Sequence, residues 1–257
     1  YTAGHNVVGV DLPFDEPKNP DLIVQNDGDE SPIEVVMRIE KILYPSIVQN
    51  PIDNTIYWNQ YYQNRICSTD PSPFARYVAT LVDPGKTLVD LGCGNGRDAL
   101  FFADNGLNVL AIDLSDTAIE QLRNLKKQNI RFVCGDFINC EEHKPEIYDY
   151  AYSRFTIHAI NVNQERLLLQ SMYRSLKKNG KLFIEVRSVH DPLYGRGEAQ
   201  ERNAFYYDNH YRRFIVMDEL IDHLKEQGFL IEYAEEKTGF APYGNDDPPI
   251  IRVVAKK

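Results

Sequence analysis

Short apolar runs alternate with amphipathic segments along residues 57–257. Seven of these runs predict strands, at residues 87–92, 108–115, 130–136, 148–155, 180–188, 229–237 and 250–257. The segments between the strands carry apolar residues at helical spacing, except before the last strand, which no helix precedes. Strands separated by helices form parallel sheets with helices on both faces. We therefore predict a doubly wound, Rossmann-like α/β fold with a seven-stranded, mostly parallel sheet and an antiparallel last strand.

Residues 1–45 have a different character. Residues 9–30 are rich in Pro, Asp and Asn and show neither a helical nor a strand period. Residues 31–43 then predict a helix, with Ser31 as its N-cap and Pro32 at its first position. We predict two parts of the chain, an N-terminal segment at residues 1–45 and a main domain at residues 46–257.

The N-terminal segment resembles the C-terminal end of adenylylsulfate kinases. The resemblance rests on "YTAG", on "DLIV", and on the residues between them, which are Pro13, Phe14, Glu16, Pro17 and Pro20. It implies that the chain, which begins at Tyr1, is a piece of a longer protein in which a kinase-like domain is covalently fused to the main domain. The glycine-rich phosphate loop of such kinases is missing, so no kinase activity is expected. An unrelated extension is the alternative.

Composition narrows the class of partner. The chain has 38 acidic and 28 basic residues and a formal net charge of −10, which argues against tight binding to nucleic acid or anionic membranes. No apolar run approaches the roughly 20 residues that a membrane span needs, and no secretory signal is recognisable. The four cysteines lack CxxC spacing, which predicts reduced thiols in a cytoplasmic protein and no metal site.

A glycine-rich turn follows the first predicted strand, in "VDLGCGNGRD" at residues 89–98. A dinucleotide-binding turn has the pattern GxGxxG, but Arg97 stands where its third glycine belongs. The GxxxxGK pattern of a phosphate-binding loop is absent as well. What remains is a strand, a glycine turn and a helix start, where the backbone can approach a ligand closely.

Three carboxylates surround this turn. Asp90 precedes the glycines, Asp113 ends the second strand, and Asp136 ends the third. The carboxyl ends of parallel strands meet at one edge of a sheet, where an acidic residue after the second strand can accept both ribose hydroxyls. Three carboxylates would repel a diphosphate, but they suit a ribose, an adenine amino group and a cationic amino acid.

The motifs "VDLGCGNGRD", "LAIDLS" and "VCGDF", in this order, resemble those of class I S-adenosylmethionine-dependent methyltransferases, with a nicotinamide-binding fold as the alternative. The resemblance implies S-adenosylmethionine as cofactor and S-adenosylhomocysteine as product. It implies that the glycines line the methionine part, Asp90 orients its amino group, Asp113 binds the ribose, and Asp136 binds the adenine amino group beside Phe137. The expected cofactor site is Asp90, Gly92, Cys93, Gly94, Asn95, Gly96, Asp113, Leu114, Asp136, Phe137 and Ser153.

The acceptor should lie beyond the carboxyl ends of the later strands. Methyl transfer needs alignment above all, and a general base helps when a hydroxyl or an amine is methylated. The fourth strand leads into Arg154 and His158, and we take His158 as the base candidate, with a helix-packing histidine as the alternative. The predicted catalytic residues are His158, Arg154 and His210.

The connection after the fifth strand runs for about 25 residues without a clear period, which is long enough to suggest a functional loop. Its cations other than histidine are all arginine, whose planar forks suit phosphate or carboxylate; a solvated, salt-bridged loop is the alternative. Aromatic residues at 57–62 are expected to fold over the cofactor, with plain helix packing as the alternative, and Tyr61 and Phe240 are further candidates. The predicted substrate site is Tyr57, Trp58, Tyr62, Phe74, Arg187, Arg196, Tyr211, Arg212, Arg213 and Tyr243.

These observations predict an O-methyltransferase for a polar, anionic small molecule. The acceptor is expected to be a phosphorylated or nucleotide-linked sugar, or a phosphate or phosphoramidate group, because the kinase resemblance and the run "DNHYRRF" both suggest bacterial surface-polysaccharide synthesis. Methylation of nitrogen, sulfur or carbon on another metabolite is one alternative. A cofactor-binding domain that regulates the kinase without catalysis is the other.

Overall fold

The computed structural model describes residue 35 and residues 54–65, 67–125, 127–244 and 246–257. The chain divides into two units, Tyr1–Gln49 and Asn50–Lys257. Of the first unit only Val35, which is helical, is described. The helix predicted at residues 31–43 and the boundary predicted after residue 45 lie outside the described residues and stay predictions.

The second unit is built around one large sheet. Its elements in chain order are α1 (Thr55–Asn64), α2 (Pro73–Ala79), β1 (Thr87–Leu91), α3 (Arg97–Asp104), β2 (Asn108–Asp113), α4 (Asp116–Leu122), β3 (Ile130–Cys134), β4 (Tyr148–Arg154), a 3-10 turn (Ile157–Ala159), α5 (Val162–Ser175), β5 (Leu176–Arg187), β6 (Glu198–Glu201), β7 (Ala204–Tyr207), β8 (His210–Arg213), α6 (Met217–Glu226), β9 (Leu230–Lys237) and β10 (Ile250–Lys256).

The large sheet has seven strands in the order β3-β2-β1-β4-β5-β10-β9. Strands β1 to β5 pair in parallel, and β10 is antiparallel to both of its neighbours. The predicted fold is therefore confirmed, including the antiparallel last strand. The chain order reverses between β1 and β4, which is where open α/β sheets bind their ligands.

Side chains alternate between the two faces of the sheet, as strand geometry requires. In β1, Val89 and Leu91 belong to one core cluster and Leu88 to the other. Helices α5 and α6 pack into the first cluster, and α2 and α3 pack into the second. Both faces are thus covered, which explains why the central strands read as continuous apolar runs.

Helix starts follow the expected capping chemistry. The Ser115 side chain accepts a hydrogen bond from the backbone N–H of Ala118 at the start of α4. Asn161 and Gln164 form a capping box that starts α5. Helix α4 ends at Leu122, because Leu125, the apolar residue of the following segment, is exposed and finds no core to pack against.

The connection after β5 is more ordered than predicted. It contains a three-stranded antiparallel sheet, β6-β7-β8, with a tight turn at Asp208 and Asn209, both of which have positive φ. Each strand has four residues, too few for an alternating pattern to be recognised. Across the described ranges no helix is long and apolar enough to cross a membrane. The four cysteines are free thiols, as predicted.

Candidate active site

A cavity of about 1110 Å³ lies at the carboxyl ends of β1 to β5. The end of each strand contributes a charged side chain to its wall, and fifteen of the predicted site residues line it. These are Trp58, Tyr62, Asp90, Gly92, Cys93, Gly94, Asn95, Asp113, Leu114, Asp136, Phe137, Arg154, Arg187, Arg196 and Tyr243.

The glycine turn lets other side chains approach the backbone. Gly92 and Gly94 have φ of 79° and 54°. A Cβ at Gly92 would overlap the Thr156 methyl group, and one at Gly94 would overlap the Tyr62 hydroxyl. Gly96 also has positive φ, but a Cβ there would meet Leu122, and Gly96 does not line the cavity. We therefore assign Gly96 a role in packing at the start of α3 in place of the predicted contact with the cofactor.

Asp90 is a buried carboxylate on the cavity wall. It is 2% exposed and accepts no hydrogen bond within the described part of the chain. Burial raises the pKa of Asp90 well above its usual range, and the nearby Asp98 and Asp113 charges raise it further. The Arg154 charge opposes this rise in part, and a further cation would stabilise the ionised carboxylate. The site therefore fits a positively charged ligand group.

Asp113 and Asp136 are held by short loops after their strands. Asp113 accepts the backbone N–H of Gly94 at 2.7 Å and that of Ser115 at 2.9 Å. Asp136 accepts the N–H of Ile138 at 2.8 Å. Burial raises the pKa of Asp113, and the two backbone donors oppose this rise. Each carboxylate oxygen has lone pairs left for a ligand hydroxyl or amino group.

Helix α1 covers the glycine turn with aromatic rings. Trp58, Tyr61 and Tyr62 line the cavity. The ring centroids of Trp58 and Tyr62 lie 6.1 Å apart, and burial raises the pKa of Tyr62 well above its usual range. The helix is tied down by a 2.6 Å hydrogen bond from the Ser115 hydroxyl to Asn59 Oδ1. Helix α1 thus covers the glycine turn at Gly94, where the Tyr62 side chain lies against the backbone.

The β4 and β5 side of the cavity is basic. Arg154, Phe155 and Arg187 line it, and the Cζ atoms of the two arginines lie 4.4 Å and 5.6 Å from the centroid of the Phe155 ring. Phe155 has φ of 56°, a strained conformation for a residue with a Cβ. The Arg187 guanidinium is paired with Asp191 at 2.5 Å. Phe155 was not predicted as a site residue, because no local sequence signal marks a positive φ at a phenylalanine.

A buried ion-pair network fixes Arg154. Glu185 accepts Arg154 Nε at 2.8 Å and Arg252 Nε at 2.7 Å, and its side chain is fully buried. Arg252 also donates to the Phe240 carbonyl at 2.9 Å. Burial raises the pKa of Glu185, and the two arginines oppose this rise. The network connects β4, β5 and β10 to the loop that carries Tyr243, which lies exposed at the edge of the cavity.

The predicted catalytic histidines lie off the cavity surface. His158 and His210 are 4% and 2% exposed, and neither is among the lining residues. The His210 ring stacks on Tyr57 with centroids 4.5 Å apart, and its centroid lies 6.4 Å from that of His158. Tyr57 and Arg212 accompany them and do not line the cavity either.

Five further predicted site residues do not line the cavity. Phe74 is fully buried in the core under Arg252, and Phe240 lies on the other side of that guanidinium. Tyr211 donates to Glu201, and Arg213 binds Glu165 and the Ile160 carbonyl, because successive residues of β8 point to opposite faces and these two lie on the face opposite His210 and Arg212. The Ser153 hydroxyl pairs with Thr156 below the cavity floor. These contacts indicate structural roles in place of the predicted ligand contacts.

Sequence reasoning also missed part of the cavity wall. The loops after β5 and β9 contribute residues whose polarity and spacing show no motif, and only their position after strand ends could have suggested them. They are Asp191, Pro192, Leu193, Ala241, Pro242, Asp246, Asp247 and Pro248.

Comparisons with known proteins agree with this geometry. A family model described as a methyltransferase domain matches residues 88–180. The chain is 25% identical to the cypemycin N-terminal methyltransferase of Streptomyces sp, over 61% of this chain and 64% of that protein. It is 25% identical to the phosphoethanolamine N-methyltransferase of Triticum aestivum, over 74% of this chain and 37% of that protein. The chain thus spans less than two thirds of the length of either relative.

A solved structure shows the same fold. It is that of the 1,6-didemethyltoxoflavin-N1-methyltransferase of Burkholderia thailandensis, with bound 1,6-didemethyltoxoflavin and S-adenosylhomocysteine. The TM-score is 0.57 at 16% identity, over 89% of this chain and 91% of that one. The residues matched by the family model run from β1 into β5 and include Asp90, the glycine turn, Asp113 and Asp136. Residues 88–180 therefore belong to a methyltransferase domain, and the fold around them is that of known S-adenosylmethionine-dependent methyltransferases.

Proposed function

We propose that the chain transfers the methyl group of S-adenosylmethionine to an oxygen atom of a small anionic acceptor. The observation that carries the proposal is the division of charge along one cavity. Asp90, Asp113 and Asp136 belong to β1, β2 and β3, whereas Arg154 and Arg187 end the neighbouring β4 and β5. A cationic cofactor suits the acidic half. The arginines of the basic half are paired with Glu185 and Asp191, but their guanidinium groups still offer N–H donors to an anionic acceptor.

The residues of the acidic half would hold the cofactor. Asp90 is placed to pair with its cationic groups, Asp113 with the ribose hydroxyls, and Asp136 with the adenine amino group beside Phe137. When bound, the cofactor supplies a methyl group already activated for displacement. The chain then has to align the acceptor and exclude water. Trp58 and Tyr62 on α1 exclude water, and Arg154, held by Glu185, orients the acceptor.

The proposed acceptor is a phosphorylated or nucleotide-linked sugar, or a phosphate or phosphoramidate group, in bacterial surface-polysaccharide synthesis. Support comes from the basic half of the cavity and from the resemblance of residues 1–45 to adenylylsulfate kinases. That resemblance also supports a covalent fusion with a kinase-like domain. The free thiols support a cytoplasmic location. An acceptor oxygen that is already ionised would need no general base, which is consistent with a cavity wall without histidine among the described residues.

Methylation of nitrogen is a second candidate. Of the relatives named above, one is named an N-terminal methyltransferase and the other a phosphoethanolamine N-methyltransferase, whose named acceptor carries a phosphate. Transfer to sulfur or carbon and a regulatory domain without turnover are the further alternatives.

The test is a turnover assay with binding measured in parallel. The protein is incubated with S-adenosylmethionine and a panel of sugar phosphates, nucleotide sugars and phosphoethanolamine, and S-adenosylhomocysteine is quantified by mass spectrometry. Formation of a methylated phosphorylated product is expected, and fragmentation of that product identifies the acceptor atom. Calorimetry with S-adenosylhomocysteine distinguishes the alternatives: binding without turnover favours a regulatory domain, and absence of binding refutes the proposal.

A further inference from the structure

Residues 67–73 form a part of the cavity wall to which no sequence motif points. Cys67, Ser68 and Pro73 line the cavity. Residues 67–72 contain neither helix nor strand, and α2 begins only at Pro73. A stretch of this kind has no regular backbone hydrogen bonds, so its conformation depends on neighbouring side chains that bind its polar groups. We call residues 67–73 the 67–73 segment.

The glycine turn and the start of α3 hold this segment at two points. Asn95 Nδ2 donates to the Ser68 carbonyl at 2.8 Å. Near the other end of the segment, Asp98 accepts the backbone N–H and the hydroxyl of Ser72, each at 2.7 Å. The 67–73 segment is therefore fastened beside the glycine turn, which belongs to the acidic half of the cavity.

Asp98 is the stronger of the two anchors. Its carboxylate is buried, lines the cavity, and also accepts the Tyr152 hydroxyl of β4 at 2.8 Å. The Arg97 side chain lies farther off, with Nε 3.8 Å from Asp98 Oδ1. Burial of a carboxylate is costly unless hydrogen bonds satisfy it. Three hydrogen bonds offset this cost at Asp98, and two of them hold Ser72.

Capping of α2 does not by itself require this carboxylate. The Ser72 hydroxyl oxygen caps the helix by accepting the backbone N–H of Ala75 at 3.0 Å, and a capping serine can leave its own proton to water. Asp98 also raises the pKa of Asp90, so its charge lies close to the carboxylate that is expected to pair with the cofactor. A second carboxylate beside Asp90 is unfavourable for the ligand-free protein, which indicates a role beyond the helix cap.

We propose that Asp98 is a positioning residue, which holds the 67–73 segment in place as a wall of the cofactor site. It acts through Ser72. Loss of the bonds between Asp98 and Ser72 lowers the fraction of molecules in which this wall is in place, and the apparent affinity for the cofactor falls by the same factor. The inference rests on the cofactor part of the proposed function and not on the identity of the acceptor.

The experiment measures the affinity for S-adenosylhomocysteine by calorimetry. Asp98→Asn and Ser72→Ala should each weaken binding at least about tenfold, the loss of one hydrogen bond to a charged group. The double variant should bind about as well as the weaker single variant, because both changes remove the same interaction. Ser72→Thr keeps the hydroxyl and should retain most of the affinity. The control is Asp104→Asn in the same helix, because Asp104 is exposed and pairs with Lys127; its affinity should stay unchanged.

The reactivity of Cys67 reports directly on the position of the segment. Burial raises the pKa of the Cys67 thiol, and the residue lines the cavity, so bound S-adenosylhomocysteine should slow its modification by iodoacetamide. Asp98→Asn should speed the modification of Cys67 and reduce this protection. The exposed Cys134 on β3 is the internal control, and its rate should not change. Peptide mass spectrometry distinguishes the two thiols.

Three results would overturn the positioning role. They are unchanged affinity in Asp98→Asn, additive losses in the double variant, and equal acceleration at both thiols, which would indicate general loosening. If Asp98→Asn does not fold, Ser72→Ala and Ser72→Thr provide the same test, and equal affinities in these two variants overturn the role. Absence of S-adenosylhomocysteine binding in the wild type would refute the proposed function, whereas wild-type binding that the Asp98 and Ser72 variants leave unchanged refutes the positioning role alone.

Discussion

Replacement of Gly94 by alanine tests how helix α1 closes the cavity. Gly94 has φ of 54°, and a Cβ at this position would overlap the Tyr62 hydroxyl and lie 3.0 Å from Tyr62 Cζ. The free energy of unfolding of the variant should therefore fall for two reasons. A left-handed conformation with a Cβ costs roughly 1–2 kcal/mol. Displacement of the Tyr62 ring from its covered position costs on the order of a further 1–2 kcal/mol, part of the value of a buried aromatic side chain.

Gly85 provides the matched control. Its φ is 80°, and a Cβ there would meet no atom within 4 Å. Gly85→Ala should therefore show the conformational cost alone. Urea unfolding should give a loss of about 1–2 kcal/mol for Gly85→Ala and about 2–4 kcal/mol for Gly94→Ala.

Trp58 reports the local consequence. Because α1 carries both Trp58 and Tyr62, Gly94→Ala should shift the tryptophan emission to longer wavelength and weaken binding of S-adenosylhomocysteine, whereas Gly85→Ala should change neither. In a Tyr62→Phe background the added cost of Gly94→Ala should fall, because the overlapping hydroxyl is gone. Equal losses of stability in the two alanine variants, with unchanged emission, would refute the packing of Tyr62 on Gly94.

Three further predictions concern buried carboxylates. Asp113→Asn should weaken S-adenosylhomocysteine binding in calorimetry by at least about tenfold, since hydrogen bonds to a charged group contribute roughly 1.5–3 kcal/mol; unchanged affinity would exclude the ribose role. The pKa of Asp90 is raised, so its charge costs stability above that pKa and is relieved as the pH falls through it. Asp90→Asn should therefore stabilise the ligand-free protein at pH 7 in urea unfolding, and should reduce the loss of cofactor affinity that acidification causes in the wild type, leaving the part that Asp113 contributes; an identical pH profile would contradict this. Glu185→Gln should cost about 3–5 kcal/mol of stability, because two buried arginines lose their partner, against at most about 1 kcal/mol for the exposed Glu226→Gln; similar losses would show that the network is not buried in solution.

The division of charge in the cavity has a simple topological origin. The switch in strand order puts the ends of β1, β2 and β3 on one side and those of β4 and β5 on the other. Each strand end carries one charged residue to the shared edge.

Local information was sufficient for the acidic half. The strand, the glycine turn and the helix lie within a few residues of one another. An aspartate at the end of a parallel strand lies at the edge of the sheet, independently of the rest of the chain. Asp90, Asp113 and Asp136 could therefore be placed from spacing alone, as could the antiparallel last strand, which no helix precedes. The glycine turn was also recognisable, although Gly96 proved to pack against Leu122.

The basic half depended on tertiary contacts. Glu185 joins Arg154 and Arg252, which are 31 and 67 residues away from it. Neighbouring arginines in β8 have opposite roles, since Arg213 is bound to Glu165 while Arg212 faces the histidines. The sequence by itself determined which residues could carry charge to this edge of the sheet. Only the folded structure decided which of those charges are neutralised and which stay free for a ligand, because pairing and burial depend on residues that meet only after the chain has folded.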